Sequence, residues 1–142
     1  MLLLHTLVTL LMAGLCAFIA VAHYPMFALV PREAFARYGQ AHVTRASILI
    51  GPLMLIEAAT CVLLIASPPP MPAWASPWWP WTNAAALALI WLITFASSKP
   101  IHEKLIQRFD ERQHRTLLIG HAIRTAIWLA RGIVCLFILA HK

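Results

Sequence analysis

Acidic side chains are scarce in this chain: Asp and Glu together number 5 in 142 residues, against 11 Lys and Arg. Charged residues of either sign make up 11% of the sequence, about half of what a soluble domain carries. The three cysteines, Cys16, Cys61 and Cys135, form no CxxC pair. That excludes a thiol relay or zinc ribbon and leaves them as small core side chains. No HxxxH or HxxHH cluster occurs, so the histidine signature of a membrane di-iron enzyme is missing. No basic segment precedes the first apolar run, so the N-terminal stretch is expected to stay as a span although Ala20-Val21-Ala22 has the look of a cleavage site.

What is present is apolar. The chain is 61% hydrophobic, with a mean hydropathy of +0.77. At this length a water-soluble core cannot absorb so much apolar surface, and a span needs about 20 mostly apolar residues. The expected fold is all-α: an integral membrane four-helix bundle, one transmembrane domain, with spans at about 2–24, 43–66, 80–98 and 115–140. The lipid bilayer is then the first partner.

The basic residues indicate an orientation. Arg32, Arg37 and Arg45 lie between the first two spans, and Lys99, Lys104, Arg108, Arg112 and Arg115 between the last two. They form no single stripe, so nucleic acid is not an expected partner. Short basic loops stay on the cytoplasmic side, which places both termini and the uncharged loop from Ser67 to Trp81 outside, in the plasma (inner) membrane of a bacterium. That loop carries Trp74, Trp78, Trp79 and Trp81, either as a headgroup-level anchor or as an aromatic mouth for a lipid-like ligand. Phe35, Tyr38 and His42 after Pro31, and Leu105 and Phe109 among charged neighbours, predict amphipathic cytoplasmic extensions of spans two and three.

The two halves also share a faint pattern. Leu49-Ile50-Gly51-Pro52 in span two matches Leu118-Ile119-Gly120-His121 in span four, and Pro25 and Pro100 each end a span. Two pseudo-repeated hairpins about an axis normal to the membrane would explain this.

Ionisable residues at membrane depth cost about 2.5 to 3.5 kcal/mol each on insertion scales and are therefore functional candidates. Glu57, Arg124 and Arg131 qualify. Glu57 lies roughly 20 Å in from the basic end and needs Arg131 or Arg124 as its partner. The group is either an ion pair that fixes helix register or a charged pocket for a polar ligand or protons. His114, His121, Arg124, Trp128 and Arg131 share one face of span four, which must look inward. His42 and Arg45 begin a face of span two that passes Leu49 toward Glu57.

His23, His42, His102 and His114 fall near the cytoplasmic ends of different helices, with His121 about two turns farther in. An up-down bundle brings such ends together, so a metal or proton-transfer site is expected. The metal ligands would be His23, His42, His102 and His121, with Fe, Cu or Zn as the ion. Glu103, Asp110 and His114 would stand behind them. Haem is a lesser expectation, with His23 and His121 as its axial pair. Each histidine also has a plainer reading as an interfacial or capping residue. The lone ExxH, Glu111 to His114, reads as a solvated helix face. His5 and His141, at the outer ends, are expected in solvent.

The strings HYPMF, PLMLIE, KPIHEKL and IRTAIW are spread along the chain from His23 to Trp128. With them the sequence resembles a family of small uncharacterised bacterial four-span membrane proteins. More distantly it is similar to the anthrone oxygenase-like group of unknown-function membrane domains. In that group a proline after span three, a leucine beyond it, and an arginine with a neighbouring tryptophan on span four recur; here they match Pro100, Leu105, Arg124 and Trp128. The group's polar Asn near span four is His121 here. The resemblance implies oxidation of a hydrophobic, aromatic or quinone-like molecule.

The expected function is thus a membrane oxidoreductase or oxygenase. Glu57, Arg124 and Arg131 would act on the substrate, and Tyr24, Arg45 and Trp128 would bind it. The competing expectation is a small transporter, a haem or metal carrier, or an assembly subunit. A homo-oligomer is compatible with either.

Overall fold

A computed structural model describes residues 1–141. Among them there is no strand. Five α-helices form four long rods: α1 (Leu2–Phe18), α2 (Arg32–Ala66), α3 (Trp79–Ile93), α4 (Lys99–Gln107) and α5 (Glu111–Ala140). α3 runs into α4 through a π-turn, so the four rods are Leu2–Leu29, Arg32–Ala66, Trp79–Gln107 and Glu111–Ala140. Each is long and apolar enough to cross a membrane. The chain is an all-α four-helix bundle of membrane-spanning character.

The exterior explains why water is the wrong solvent. Leu3, Leu7, Leu11, Phe18, Ile48, Leu55, Val62, Leu92, Ile133 and Phe137 all point outward. A belt of large apolar side chains around every rod is what lipid tails cover. Inside, three apolar layers succeed one another. Phe27, Phe35, Leu105 and Leu117 fill the end that carries the basic loops. Met12, Cys16, Met54, Ile90 and Trp128 fill the middle. Leu2, Leu64, Trp79, Cys135 and Ile138 close the tryptophan-rich end. All three cysteines are buried and free. α1 and α5 pack closely, for a Cβ on Gly132 would lie 2.8 Å from Leu10 Cδ2.

The ends of the rods follow local rules. Asp110 caps α5 by accepting from the Gln113 N–H at 2.8 Å, satisfying a donor that the first turn leaves free. Trp79-Pro80 opens α3, where the missing proline N–H costs nothing. The second rod begins at Arg32, well before its apolar run, and the third continues through the amphipathic α4. Of the loop tryptophans, Trp74, Trp78 and Trp81 are exposed and Trp79 is buried.

The half-repeat has a structural counterpart. The first and third rods each widen into a five-residue π-turn, Ile19–His23 and Thr94–Ser98, and in both a proline follows two positions later, Pro25 and Pro100. A proline inside a helix has no N–H and its ring strikes the carbonyl four residues back. Here the chain answers with i−5 bonds: Tyr24 N–H donates to Ile19 O, and Lys99 N–H donates to Thr94 O. The turn that absorbs the proline also redirects the residues around it.

Candidate functional site

Two polar clusters occupy the interior. The deeper one is built around Glu57, which is fully buried on α2. Arg131 Nη1 donates to Glu57 Oε1 at 2.6 Å, Thr9 Oγ1 donates to the same oxygen at 3.0 Å, and Trp128 Nε1 donates to Oε2 at 3.0 Å. Of the two candidate arginines, Arg131 is therefore the partner. Arg131 Nε donates to Asn83 Oδ1 at 3.0 Å. Asn83 Nδ2 in turn donates to His5 Nε2 at 3.0 Å, and His5 Nδ1 donates to Thr60 Oγ1 at 2.8 Å. The tautomer follows from its neighbours: Asn83 can only donate from Nδ2, and Thr60 spends its own proton on the carbonyls of Ile56 and Glu57. All four rods contribute to this one network.

His5 thus corrects an expectation: it is completely buried, not solvated. The sequence also gave no role to Asn83, Thr9 and Thr60. The available signal was polarity inside apolar runs, and uncharged polar residues there are too common to single out. His141 is exposed, as expected.

The second cluster lines a cavity of about 480 Å³, within the size range of small-molecule sites. Its lining combines polar groups, Tyr24, His42, His102, His121 and Arg124, with apolar ones, Ile19, Val43, Ile50, Met54 and Ile106. Trp128 forms the boundary with the deeper network. The mouth lies between the second and third rods, rimmed by exposed Ser47, Phe95, Lys99 and Glu103.

The polar groups are held in a defined geometry. Tyr24 OH pairs with His102 Nε2 at 2.9 Å, and its backbone carbonyl accepts from His114 Nε2 at 2.8 Å. His23 Nε2 and His42 Nδ1 share one hydrogen bond at 2.8 Å. His121 Nε2 donates to Cys16 O at 2.9 Å, which leaves Nδ1 as an acceptor for Arg124 Nη2, also at 2.9 Å. Arg124 Nη1 donates to Thr94 Oγ1 at 2.8 Å. Among the described residues four buried side-chain polar atoms have no partner: Arg124 Nε, Ser98 Oγ, Arg131 Nη2 and Trp91 Nε1. Of these residues, Arg124 and Ser98 line the cavity.

Three of the four histidines expected to bind metal, His42, His102 and His121, therefore meet in one cavity, with His23 behind His42. One nitrogen of His42, one of His102 and both of His121 are engaged with protein partners. Neither ring nitrogen of His121 offers a free lone pair, and the His23–His42 bond places a proton where a shared ion would sit. Among the described residues no group of three or more His, Cys, Asp or Glu side chains could hold a metal ion. With both nitrogens engaged, His121 as placed serves neither as a metal ligand nor as a haem axial ligand.

The remaining expected site residues separate. Arg45 is exposed and absent from the cavity wall, and Leu49 points outward too. Arg45 stands about 120° around the helix from Glu57, and the inward face runs instead through His42, Ile50 and Met54. Glu103 is an exposed rim residue, and Asp110 is the α5 cap described above, so neither backs a ligand. His114 is buried and tethers the Tyr24 backbone; its ExxH partner Glu111 is exposed, 3.7 Å from Arg32.

No protein-family model matches the chain, and no match was found among curated proteins or solved structures.

Proposed function

We propose that the cavity binds a hydrophobic, aromatic or quinone-like molecule and that the chain is a membrane oxidoreductase or oxygenase acting on it. The observation that carries this reading is the lining itself: an arginine with an unpartnered N–H and the histidines His42, His102 and His121, set among apolar side chains such as Ile50 and Met54. A lipid-soluble molecule enters between the second and third rods and lays its ring against Met54 and Trp128. An oxygen of the substrate meets Arg124. Its proton passes to the His102–Tyr24 pair or to His42, and the oxyanion left behind is stabilised by the guanidinium. In an oxidoreductase a membrane redox partner takes two electrons and the second quinol proton leaves by the same groups; in an oxygenase dioxygen is the oxidant, one of its atoms ending in the substrate and the other in water. The resemblance to anthrone oxygenase-like domains accords with this chemistry. The setting is a bacterial inner membrane with both termini outside, which single-cysteine labelling at Ser67 and Arg37 tests directly.

The test is oxygen uptake and substrate bleaching by nanodisc-embedded protein given reduced quinols and hydroxylated anthracene-type compounds. Turnover that falls at least tenfold in Arg124→Gln and in His102→Gln supports the reading. Retention of such compounds without any turnover, with and without added membrane redox partners, rejects it in favour of a carrier.

The carrier reading has one observation of its own. From Trp128 the polar chain continues through Glu57, Arg131, Asn83 and His5, close to the tryptophan-rich end. Proton flux through proteoliposomes that is lost in Glu57→Gln would favour it.

A further inference from the structure

Charge balance inside the bundle is incomplete. Glu57 and Arg131 neutralise each other, but among the described residues Arg124 has no carboxylate partner, although it is only 6% exposed. Its Nε has no hydrogen-bond partner, and neither has the hydroxyl of Ser98, which is 4% exposed on the same cavity. The π-turn accounts for the serine. Thr94 O, the carbonyl that a serine hydroxyl four residues on would ordinarily take, is occupied by the Lys99 N–H. A cation at membrane depth with one free donor, on the same cavity as a second free donor, suits one negative charge on oxygen.

A second depression continues the same seam. It has a volume of about 370 Å³ and is lined by Ala58, Cys61, Val62, Leu87, Ala88 and Trp91 among others, all from α2 and α3. On α2 the cavity reaches Met54 and the furrow starts at Ala58; on α3 the furrow reaches Trp91 and the cavity starts at Thr94. Both steps are about one helical turn, so the two hollows lie in line along the α2–α3 seam. From Met54 to Ile65 the seam runs about 16 Å toward the tryptophan-rich end.

Resting on the reading of the cavity as a ligand site, we infer that the ligand is a single-tailed amphiphile with a monoanionic oxygen head. The head sits between Arg124 and Ser98, and the tail lies in the α2–α3 furrow. The furrow alone would not select a tail, because bulk lipid is equally apolar. Selection comes from the head, and the tail takes the furrow because it begins where the head is held.

The test uses nanodiscs of zwitterionic lipid and a radiolabelled 3-alkyl-2-hydroxy-1,4-naphthoquinone with a diazirine near the tail end. Its hydroxyl is a vinylogous acid, ionised at neutral pH; the 2-methoxy ether is the neutral control. Wild-type protein is expected to retain the anion at least about tenfold more tightly than the ether, and Arg124→Gln to abolish that preference while Arg124→Lys keeps most of it. Ser98→Ala weakens the anion selectively. Photolysis is expected to label Val62, Leu87 and Trp91, and Ala88→Phe to move the label elsewhere. If wild type holds anion and ether alike, or if label spreads over Phe18 and Phe137, the inference falls while the cavity reading stands. If wild type retains neither compound beyond empty nanodiscs, both fall.

Discussion

The indole N–H of Trp128 donates to Glu57 Oε2 at 3.0 Å, while the same side chain bounds the cavity. One residue is thus shared by the ligand site and the deep ion pair, and whatever presses on the ring from the cavity presses on the carboxylate behind it.

That sharing can be measured. Trp128→Phe keeps most of the ring and removes the donor, leaving Glu57 Oε2 with no partner. A loss of about 1–3 kcal/mol is expected in reversible denaturant unfolding from mixed micelles.

Breaking the ion pair costs more. Glu57→Leu strands a buried guanidinium that retains only Asn83, and a loss of about 3–5 kcal/mol is expected. The double variant Glu57→Leu with Arg131→Leu should recover most of it, since an apolar pair of similar volume leaves no buried charge. A cycle in which the two losses simply add would contradict the pairing.

His5 and Asn83 should behave as one unit. Each of His5→Ala and Asn83→Ala exposes the other's polar atom to an apolar layer and is expected to cost about 1–3 kcal/mol. The double variant should cost less than the sum. Thermal midpoints in detergent suffice to decide.

The prolines offer a test of register. Pro25→Ala and Pro100→Ala allow an ordinary helical turn to replace each π-turn, which rotates everything beyond it by about 100°. Both variants should stay folded, judged by helical circular dichroism. They should lose probe retention in the cavity, because Tyr24, or Ser98 and His102, no longer face it.

The inward stripe of α5 was legible because its five polar residues keep a helical period and cannot face lipid. Arg131 could not be told from Arg124 as the partner of Glu57: both sit on that stripe, and the choice depends on how α2 and α5 are offset along their axes. Arg45 was misplaced for a similar reason, since a lone arginine near His42 says little about which way a long helix is turned. The convergence of His42, His102 and His121 was foreseeable from shared depth. Their use as hydrogen-bond partners was not, because Tyr24, Arg124 and the carbonyl of Cys16 claim the nitrogens only once the bundle closes. His5 and Asn83 reach each other across 78 positions of sequence, a distance that no local pattern spans.

The ring of bonds about Glu57 also constrains how the chain is made. The carboxylate arrives with the second rod, and its counter-ion Arg131 belongs to the last. Throughout the synthesis of the third rod, a nascent chain holds an acid at a depth where nothing on the chain neutralises it. The early hairpin therefore waits with its acid drawn toward water until the final segment enters, and a ribosome halted before Glu111 leaves behind a fragment that the bilayer tolerates poorly.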